Sequence, residues 1–348
     1  MMSQVPEICR TNLANVILAL KSMGIDEPHA IDWLDPPEEV ALRAALRSLF
    51  LLGALDADGS LTSIGATMSR LPVEPCLSRV LLAASELGCV DVSLSVCAMV
   101  GGDDPFHRAG RIETLEAARA ARQRYESPEG DHMTLLRVYE DWAALDARER
   151  DGWCSANGLD ARALRTACSV RTQLRGMLHA ARVHCPEDCS SLSSAASRRR
   201  CREALCFGYF FQAARRMRGT QVFVTLATPQ QTVSLRSGSS GSMLQDADYV
   251  IFSELVWAGR VIMQRATAVQ KEWLDPFLPL LNCVDVDRLM GAGRFTTKLP
   301  VPSDHEIMGS SSGKRTVAES AGRRNDTGSV SRARERFLER QRQRQRTV

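Results

Sequence analysis

The chain has 348 residues, of which 44% are hydrophobic, and a formal net charge of +3. These values fit a globular protein long enough for two or three domains. No run of about 18 uncharged apolar residues is present and the N-terminus lacks a signal-peptide layout, so neither a membrane span nor secretion is predicted. We therefore expect an intracellular protein whose 11 cysteines are mostly reduced.

The positive charge is concentrated at the C-terminus. Residues 309–348 hold eleven basic and four acidic side chains, a net charge of +7, which leaves −4 on residues 1–308. A basic tail on a slightly acidic body indicates contact with nucleic acid, or nuclear targeting, through the tail. The body alone is not expected to hold phosphates strongly.

The first elements predict a small helical module. NLANVILALKSMGI predicts an amphipathic helix that stops at Gly24, and a turn is predicted at Asp58-Gly59 before a short helix that ends at Pro72. Between them EEVALRAALRSLFLLGAL predicts a helix whose apolar side chains are Val40, Leu42, Ala45, Leu46, Leu49 and Phe50. A helix, a hairpin and a helix within about 35 residues outline a winged-helix module.

A helical bundle is predicted next, from Glu74 to Val183. Its helices are predicted over 76–88, 91–100, 112–126, 131–149 and 159–183. The stretch PEDCSSLSSAASRRR, residues 186–200, then predicts a Ser/Arg-rich linker.

The hydrophobic period changes to 2 after this linker. QVFVTLA alternates at Val222, Val224 and Leu226, and residues 232–235, 249–256 and 261–268 also predict strands. Four or five short strands in about 70 residues predict a small β-barrel. The chain is therefore expected to be a multidomain, mainly α protein with one small barrel. The Gly/Ser/Arg-rich residues after Leu289 predict a disordered tail.

An Asp-His pair stands at the front of one predicted helix, in EGDHMTLLRVYEDW, residues 129–142. A catalytic dyad would need a nucleophile in a recognisable setting, and no G-x-S-x-G occurs in the sequence. Asp131 follows Gly130 where an N-cap belongs, and apolar residues follow at helical spacing. We therefore interpret Asp131 as a helix cap and His132 as a residue that orders the first turn.

This stretch resembles the E-G-D-H-x-T-L-L-x-V-Y segment in the C-terminal region of DEAH-box RNA helicases. Other segments are similar to the same region in the same order, from about Val5 to Pro279. They are VPEICRTNLANVILALKSMGI, WLDPP, LGALDADGSLTSIGATMSRLPVEP, WCSANGLDARALRTACSVRTQL, GYFFQAARR, YVIFSELV and ATAVQKEWLDPFLP.

The resemblance, together with the composition for the Ser/Arg linker and the tail, predicts six segments. They are a linker that follows the motor domains (1–36), a winged helix (37–73), a helicase-associated ratchet bundle (74–185), the Ser/Arg linker (186–200), an OB-fold (201–290) and a disordered basic tail (291–348). It implies a module that closes over single-stranded RNA during ATP-dependent remodelling. Pre-mRNA splicing, and therefore the nucleus, is favoured as the setting, and ribosome assembly stays the alternative. The implied partners are single-stranded RNA, a glycine-rich activator of the G-patch type, and motor domains in cis or in trans, with no membrane.

Two stretches mimic motor motifs. GSSSGKRT, residues 309–316, is one residue short of a phosphate-binding loop and has Arg315 after its lysine. DEPH, residues 26–29, contains Pro28 and follows a predicted helix rather than a strand. We interpret both as coincidences, so no catalytic residue and no cofactor are expected on this chain. ATP and Mg²⁺ are implied only for the motor domains.

The candidate RNA contacts lie in two places. Arg162, Arg165 and Arg171 share one helical segment, where they contact phosphates or form a solvated face, and the solvated face is favoured. In the predicted barrel, Arg215 of FFQAARR follows Gln212 at a polar-basic turn. Tyr209, Phe210 and Phe223 are the candidates for base stacking, although a core position is favoured for each.

A loop of the predicted barrel departs from the resembled family. SLRSGSSGSML stands where the family carries a His-Pro-Ser-Ser stretch that meets RNA, with Arg236 in place of the histidine. Ser239 and Ser240 keep hydroxyl groups for RNA contacts. Ser253 also stands where the family usually has a histidine before Glu254.

Three functional readings remain open at this stage. The chain is part of a complete RNA helicase, or a stand-alone, non-catalytic RNA-binding or scaffold protein, or an enzyme of another class that uses a metal or hydrolyses its substrate. The third reading, which would need a zinc site, is the weakest, because the spacing of the candidate ligands is not that of a standard zinc finger. No metal ligand is therefore predicted. Those candidates are His184, Cys185, Cys189, Cys201 and Cys206.

Overall fold

A computed structural model of the chain describes residues 12–28, 31–106, 122–185, 194–235 and 244–290, together with Pro6, Ile8 and Ala120. The helices of this part are α1 (Ala14–Ser22), α2 (Glu39–Leu51), α3 (Ser63–Met68), α4 (Pro75–Glu86), α5 (Val90–Val100), α6 (Asp131–Ala143), α7 (Arg150–Ala156), α8 (Ala161–Ala180), α9 (Ala195–Tyr209), α10 (Lys271–Leu274) and α11 (Val286–Leu289). Among these helices, none has the length and apolar character needed to cross a bilayer. The predicted tail, residues 291–348, lies outside the described residues.

The winged-helix part is built from elements far apart in the sequence. The turn between Leu55 and Leu61 forms a one-rung hairpin, and the Thr62 side chain caps α3 by accepting a hydrogen bond from the Gly65 amide. The buried side chains of one core come from α1, α2, α3 and α11, and include Ile17, Leu18, Leu46, Leu49, Met68 and Leu289. Helix α1, which the sequence assigned to a linker, therefore belongs to this core. Val40, expected on the apolar stripe of α2, is 74% exposed.

The C-terminal end of the described chain is held to the winged-helix part by polar contacts as well as by Leu289. Arg47 donates a hydrogen bond to the Leu281 carbonyl (3.0 Å). Two ion pairs follow, Arg43 with Asp287 (2.6 Å) and Arg288 with Asp58 (2.6 Å). Exposed ion pairs of this kind contribute little each, so the buried Leu289 side chain carries most of the attachment.

The helical bundle contains α4 to α9 and surrounds the largest core. Helix α9 packs closely on α4, because a Cβ at Gly208 would lie 2.4 Å from the Cys76 carbonyl oxygen. The helix predicted over 131–149 ends at Ala143, and α7 was not predicted. Residues 195–200, predicted as linker, instead form the start of α9, where the Ser194 side chain accepts from the Ser197 amide and Ala and Arg are good helix formers.

Seven strands form one mixed sheet within the described residues, in the order β5-β6-β3-β2-β1-β4-β7. They are β1 (Ala213–Arg216), β2 (Val222–Thr225), β3 (Thr232–Leu235), β4 (Tyr249–Ile251), β5 (Glu254–Trp257), β6 (Val261–Gln264) and β7 (Thr267–Val269). The pair β3 and β6 is parallel, and the other neighbours are antiparallel.

A bend connects the edge strand β5 to β4, the second strand from the opposite edge of this sheet. Strands β4 and β5 are separated only by Phe252 and Ser253, yet β4 pairs with β1 and β5 pairs with β6. The Phe252 amide donates to the Gln212 carbonyl (2.9 Å) and the Ser253 amide to the Gln264 carbonyl (3.0 Å). This pairing does not by itself show the closed barrel that the strand spacing predicted.

The inner face of the sheet has its own core of Ala214, Phe223, Val233, Val250, Phe252 and Met263. Phe223 is the fully buried side chain of β2, whereas Val222 and Val224, on which the predicted alternation rested, are only half-buried on the outer face. The bundle covers the outer face near Ala213 and Ile251. Strand β2 therefore has apolar side chains on both faces. The alternation of valines correctly indicated a strand, but the face that is fully buried carries Phe223 and not the valines.

Candidate nucleic-acid interface

The Asp-His pair lies at the junction between the bundle and the sheet. Gly130 forms a β-bridge with Thr267, and the Asp131 amide donates to the Ala266 carbonyl (2.8 Å). The Asp131 carboxylate accepts a hydrogen bond from the Ala266 amide (3.0 Å) and lies 3.3 Å from the Arg122 guanidinium. The helix N-cap is Gly130, without a side-chain cap. Asp131 is therefore not the cap that the sequence predicted, since its carboxylate accepts a hydrogen bond from the Ala266 amide, next to β7, instead.

His132 is completely buried in the same junction. Its Nδ1 shares a hydrogen bond with Thr267 Oγ1 (2.7 Å), and its ring lies 5.9 Å from that of Tyr209. Burial, with a smaller contribution from the positive charge of Arg265, lowers the pKa of His132 to about 3. A neutral, inaccessible imidazole cannot exchange protons with a substrate near neutral pH. The pair is a structural connection between two parts of the fold.

Further contacts strengthen this junction. The Ala268 amide donates to the Glu129 carbonyl (3.0 Å), and Arg202 donates to the Ala268 carbonyl (3.1 Å) while its guanidinium lies 3.1 Å from the Glu129 carboxylate. Arg265 donates to the Val100 carbonyl at the end of α5 (2.9 Å). The sheet is therefore held on the bundle by a series of buried and half-buried hydrogen bonds.

Arg215 lies on the outer face of the sheet. It is exposed, and it pairs with Val224 of β2 and Tyr249 of β4. Its neighbour Ala214 points into the inner core, so the Arg215 side chain points outward. The expected polar-basic turn is instead a strand, preceded by Gln212, whose side-chain amide donates to the Ser253 carbonyl (2.9 Å).

The arginines of α8 have different surroundings. Arg162 is exposed in the first turn, two residues after the N-cap Asp160. Arg171 donates to Ser95 Oγ (3.0 Å) and pairs with Asp91 (3.1 Å), which connects α8 to α5. Arg165 forms an ion pair with Asp151. That Arg162 and Arg171 contact RNA stays a prediction, and Arg162 is the more accessible of the two.

Several sequence-based candidates lie outside the described residues. These are Arg236, Ser239 and Ser240, which follow β3 in the sequence, Cys189 of the zinc hypothesis, and the whole of GSSSGKRT. Cys201 and Cys206 are fully buried in α9, and burial raises the pKa of both thiols. In the part of the chain that the structure describes, no group of three or more His, Cys, Asp or Glu side chains could hold a metal ion.

Of the DEPH stretch the structure describes residues 26–28, which follow α1. The Asp26 carbonyl accepts a hydrogen bond from the buried Lys21 ammonium (2.6 Å), which also donates to the Gly59 carbonyl (2.5 Å). The Pro28 carbonyl accepts from the Trp33 indole (3.0 Å). These contacts tie the turn to the winged-helix hairpin and do not resemble a nucleotide site.

The aromatic candidates for base stacking are buried. Tyr209, Phe210 and Phe223 are at most 2% exposed, so they belong to the core, as the sequence favoured. Trp257, at the end of β5, is 74% exposed and was missed. The only local indication was a tryptophan directly before an Ala-Gly-Arg turn.

Three family models match consecutive stretches of the chain. Residues 45–73 match the winged helix of the helicase-associated domain (HA2), residues 74–135 match its ratchet-like part, and residues 201–281 match an oligonucleotide/oligosaccharide-binding (OB) fold. Each matched range falls inside the predicted segment of the same kind, while the segment boundaries stay predictions.

One curated relative from Schizosaccharomyces pombe is described as pre-mRNA-splicing factor ATP-dependent RNA helicase prp22. It is 36% identical over 278 residues, which are 80% of this chain and 23% of the relative. The chain thus spans about a quarter of the length of this relative.

Proposed function

Because this chain has, in order, the winged-helix, ratchet-like and OB-fold parts of the C-terminal region of DEAH-box RNA helicases, we propose that it is the RNA-binding accessory module of such a helicase. The single observation that carries the proposal is the matching order of the three parts. ATP and Mg²⁺ would act in the motor domains of the helicase, in cis or in trans. The description of the Schizosaccharomyces pombe relative as a pre-mRNA-splicing factor favours splicing, and therefore the nucleus, as the setting.

Single-stranded RNA is the proposed ligand of the sheet. OB-folds bind single strands through basic groups that follow the backbone and through base stacking. The seven strands are proposed to form such a barrel, closed by the bend between β4 and β5. Arg215 on the outer face is the proposed phosphate contact in the described part of the sheet. Arg236, Ser239 and Ser240 extend the proposal to the loop after β3.

RNA binding is tested with the purified chain and a labelled single-stranded RNA, by fluorescence anisotropy at several salt concentrations. Arg215→Ala should weaken binding and reduce the slope of log affinity against log salt by about 1, since one phosphate contact is lost. Arg148→Ala, at an exposed arginine in the turn before α7, is the matched control and should leave both unchanged. Absence of binding up to about 100 μM, the weak limit of non-specific association, would contradict the proposal.

A glycine-rich activator of the G-patch type is the proposed protein partner of the winged-helix part. Three apolar side chains of this part are largely exposed: Met23 (68%), Leu34 (98%) and Val40 (74%). Contiguous exposed apolar surface commonly marks protein interaction sites, and we propose Leu34, the most exposed of the three, as a contact of the activator. Leu34→Asp should abolish binding of an activator peptide while RNA affinity stays unchanged, and equal binding by the variant would exclude this surface.

The size of the native polypeptide decides whether the motor domains are in cis. If the motor domains are on the same polypeptide, an antibody against a peptide of residues 309–348 should detect a band of more than twice 38.3 kDa. A band near 38.3 kDa would instead favour the stand-alone, non-catalytic RNA-binding protein.

A further inference from the structure

Helix α2 has one apolar face that no other part of the described chain covers. The opposite side of this helix buries Leu42, Leu46 and Leu49 in the winged-helix core. On the uncovered side Val40 is 74% exposed, and Ala44, one turn later, is also exposed. Residues four apart lie on the same side of a helix, so Val40 and Ala44 form one apolar stripe at the surface. A valine left in water contributes little to the fold.

Carboxylates surround the N-terminal end of this stripe. Residues 22–42 contain six acidic side chains and no lysine or arginine, and all six are exposed. Glu39 forms an ion pair with Arg43 (2.8 Å), whereas Asp35 and Glu38 form none with a basic side chain of the described residues. We call the apolar stripe and its anionic rim, which consist of Val40, Ala44, Asp35 and Glu38, the α2 surface.

The C-terminal segment of the same chain has the complementary character. Residues 331–348 contain seven arginines and two glutamates, a net charge of +5, and the apolar pair Phe337-Leu338 lies among the arginines. An apolar centre with a cationic border fits an apolar stripe with an anionic border, because burial of the centre is combined with opposite charges at the rim. A nucleic acid would instead be repelled by the carboxylates.

The fold brings this segment close to the α2 surface. Helix α11 packs on α2, and its Leu289 is buried in the same core as Leu46. Arg43 of α2 pairs with Asp287 of α11 (2.6 Å) as well as with Glu39, so α11 lies beside the acidic end of α2. Residues 291–348 therefore begin next to the α2 surface. Residues 291–330 span up to about 130 Å when extended, which is enough for residues 331–348 to return to it.

We propose that residues 331–348 bind the α2 surface of the same chain. Phe337 and Leu338 cover Val40, and the arginines on either side of them lie against Asp35 and Glu38. The covalent connection keeps the segment at a high effective concentration, so a contact that would be weak between separate molecules is populated. This inference goes beyond the proposed RNA binding, because it assigns a partner within the chain to a surface of the winged-helix part.

Docking is measured by the rate at which trypsin cleaves residues 331–348 of the full chain. A synthetic peptide of the same sequence, labelled with heavy isotopes, is digested in the same tube, and the ratio of the two rates is the protection factor. A contact with a Kd of about 100 μM and an effective concentration of about 1 mM gives about tenfold protection. This protection should disappear at about 0.5 M salt, where the Debye length is about 4 Å.

Two variants of the α2 surface test the site. Asp35→Asn/Glu38→Gln should lower the protection factor about fourfold, at about twofold for each exposed ion pair. Val40→Ala should also lower it about fourfold, the effect of about one buried CH₂ group. The matched control is Asp146→Asn/Glu149→Gln, which makes the same charge change at exposed carboxylates of the bundle and should leave the protection factor unchanged.

Three results would overturn this inference. They are a wild-type protection factor of 1, equal protection factors in the wild type and both α2 variants, and protection that rises with protein concentration. The last result would mean that the segment binds a second copy of the chain. Neither RNA nor an activator is present in the assay, so a negative result leaves the proposed RNA binding standing, and the assay stays decisive if RNA binding fails.

Discussion

A single methyl group at residue 130 is expected to separate the bundle from the sheet. Gly130 has φ +117°, and a Cβ there would lie 2.5 Å from both the Ala266 carbonyl oxygen and the Thr267 Cα. An L-residue at positive φ costs about 1–2 kcal/mol. Moving α6 away from β7 would also lengthen the two hydrogen bonds between Asp131 and Ala266, each contributing about 1 kcal/mol. Gly130→Ala should therefore lower the free energy of unfolding by about 3–4 kcal/mol.

The assay is thermal unfolding followed by circular dichroism, with Gly152→Ala as the control. Gly152 lies in α7 with no atom within 4 Å of its added Cβ, so the same change should raise stability by about 0.5–1 kcal/mol through helix propensity. At about 2–4 °C per kcal/mol, Gly130→Ala should lower the midpoint by about 6–16 °C. A midpoint within about 2 °C of wild type, or equal losses in both variants, would refute the reasoning about this junction.

Three further results are expected. Because burial lowers the pKa of His132 to about 3, the unfolded state binds a proton that the folded state does not as pH falls below about 6.5. The free energy of unfolding should then decrease by up to about 1.4 kcal/mol per pH unit as the pH falls from about 6.5 towards about 3. In a plot of urea midpoint against pH, His132→Gln should lack this part of the decrease. Leu289→Ala should cost about 2–4 kcal/mol by urea unfolding, whereas Leu34→Ala, at a 98% exposed leucine, should change stability by less than about 0.5 kcal/mol; equal losses would exclude Leu289 from the core. Deleting residues 309–348, which carry +7, should weaken RNA binding and flatten its salt dependence, and an unchanged slope would mean that the body alone holds the RNA.

Local patterns predicted most helices, because their hydrophobic period depends only on neighbouring residues. The helices α4, α5 and α8 begin and end within a few residues of the predicted ranges. Strand β1 was missed, since Ala-Ala-Arg-Arg has low β propensity and becomes a strand only by pairing with β2 and β4. The start of α9 was missed because serine-rich composition suggested a linker.

In the candidate site, too, contacts between residues close in sequence were predictable and contacts between distant residues were not. The sequence predicted a helix cap at Asp131, but the Asp131 carboxylate accepts a hydrogen bond from Ala266, 135 residues away, which a single sequence does not reveal. The exposure of Trp257 also depends on where β5 ends relative to the inner core. Resemblance supplied the order of the domains, and only the fold showed which arginines are exposed and which, like Arg171, are engaged by a carboxylate.

The position of Leu289 determines where the basic C-terminal residues are attached. The chain leaves the sheet after β7, returns to the winged-helix part and inserts Leu289 into its core immediately before residue 291. Whatever residues 291–348 bind is thereby tethered to the winged-helix part, at an effective concentration set by the length of chain from that anchor. A polyanion held by these residues would therefore be kept close to the winged-helix part without any change of shape.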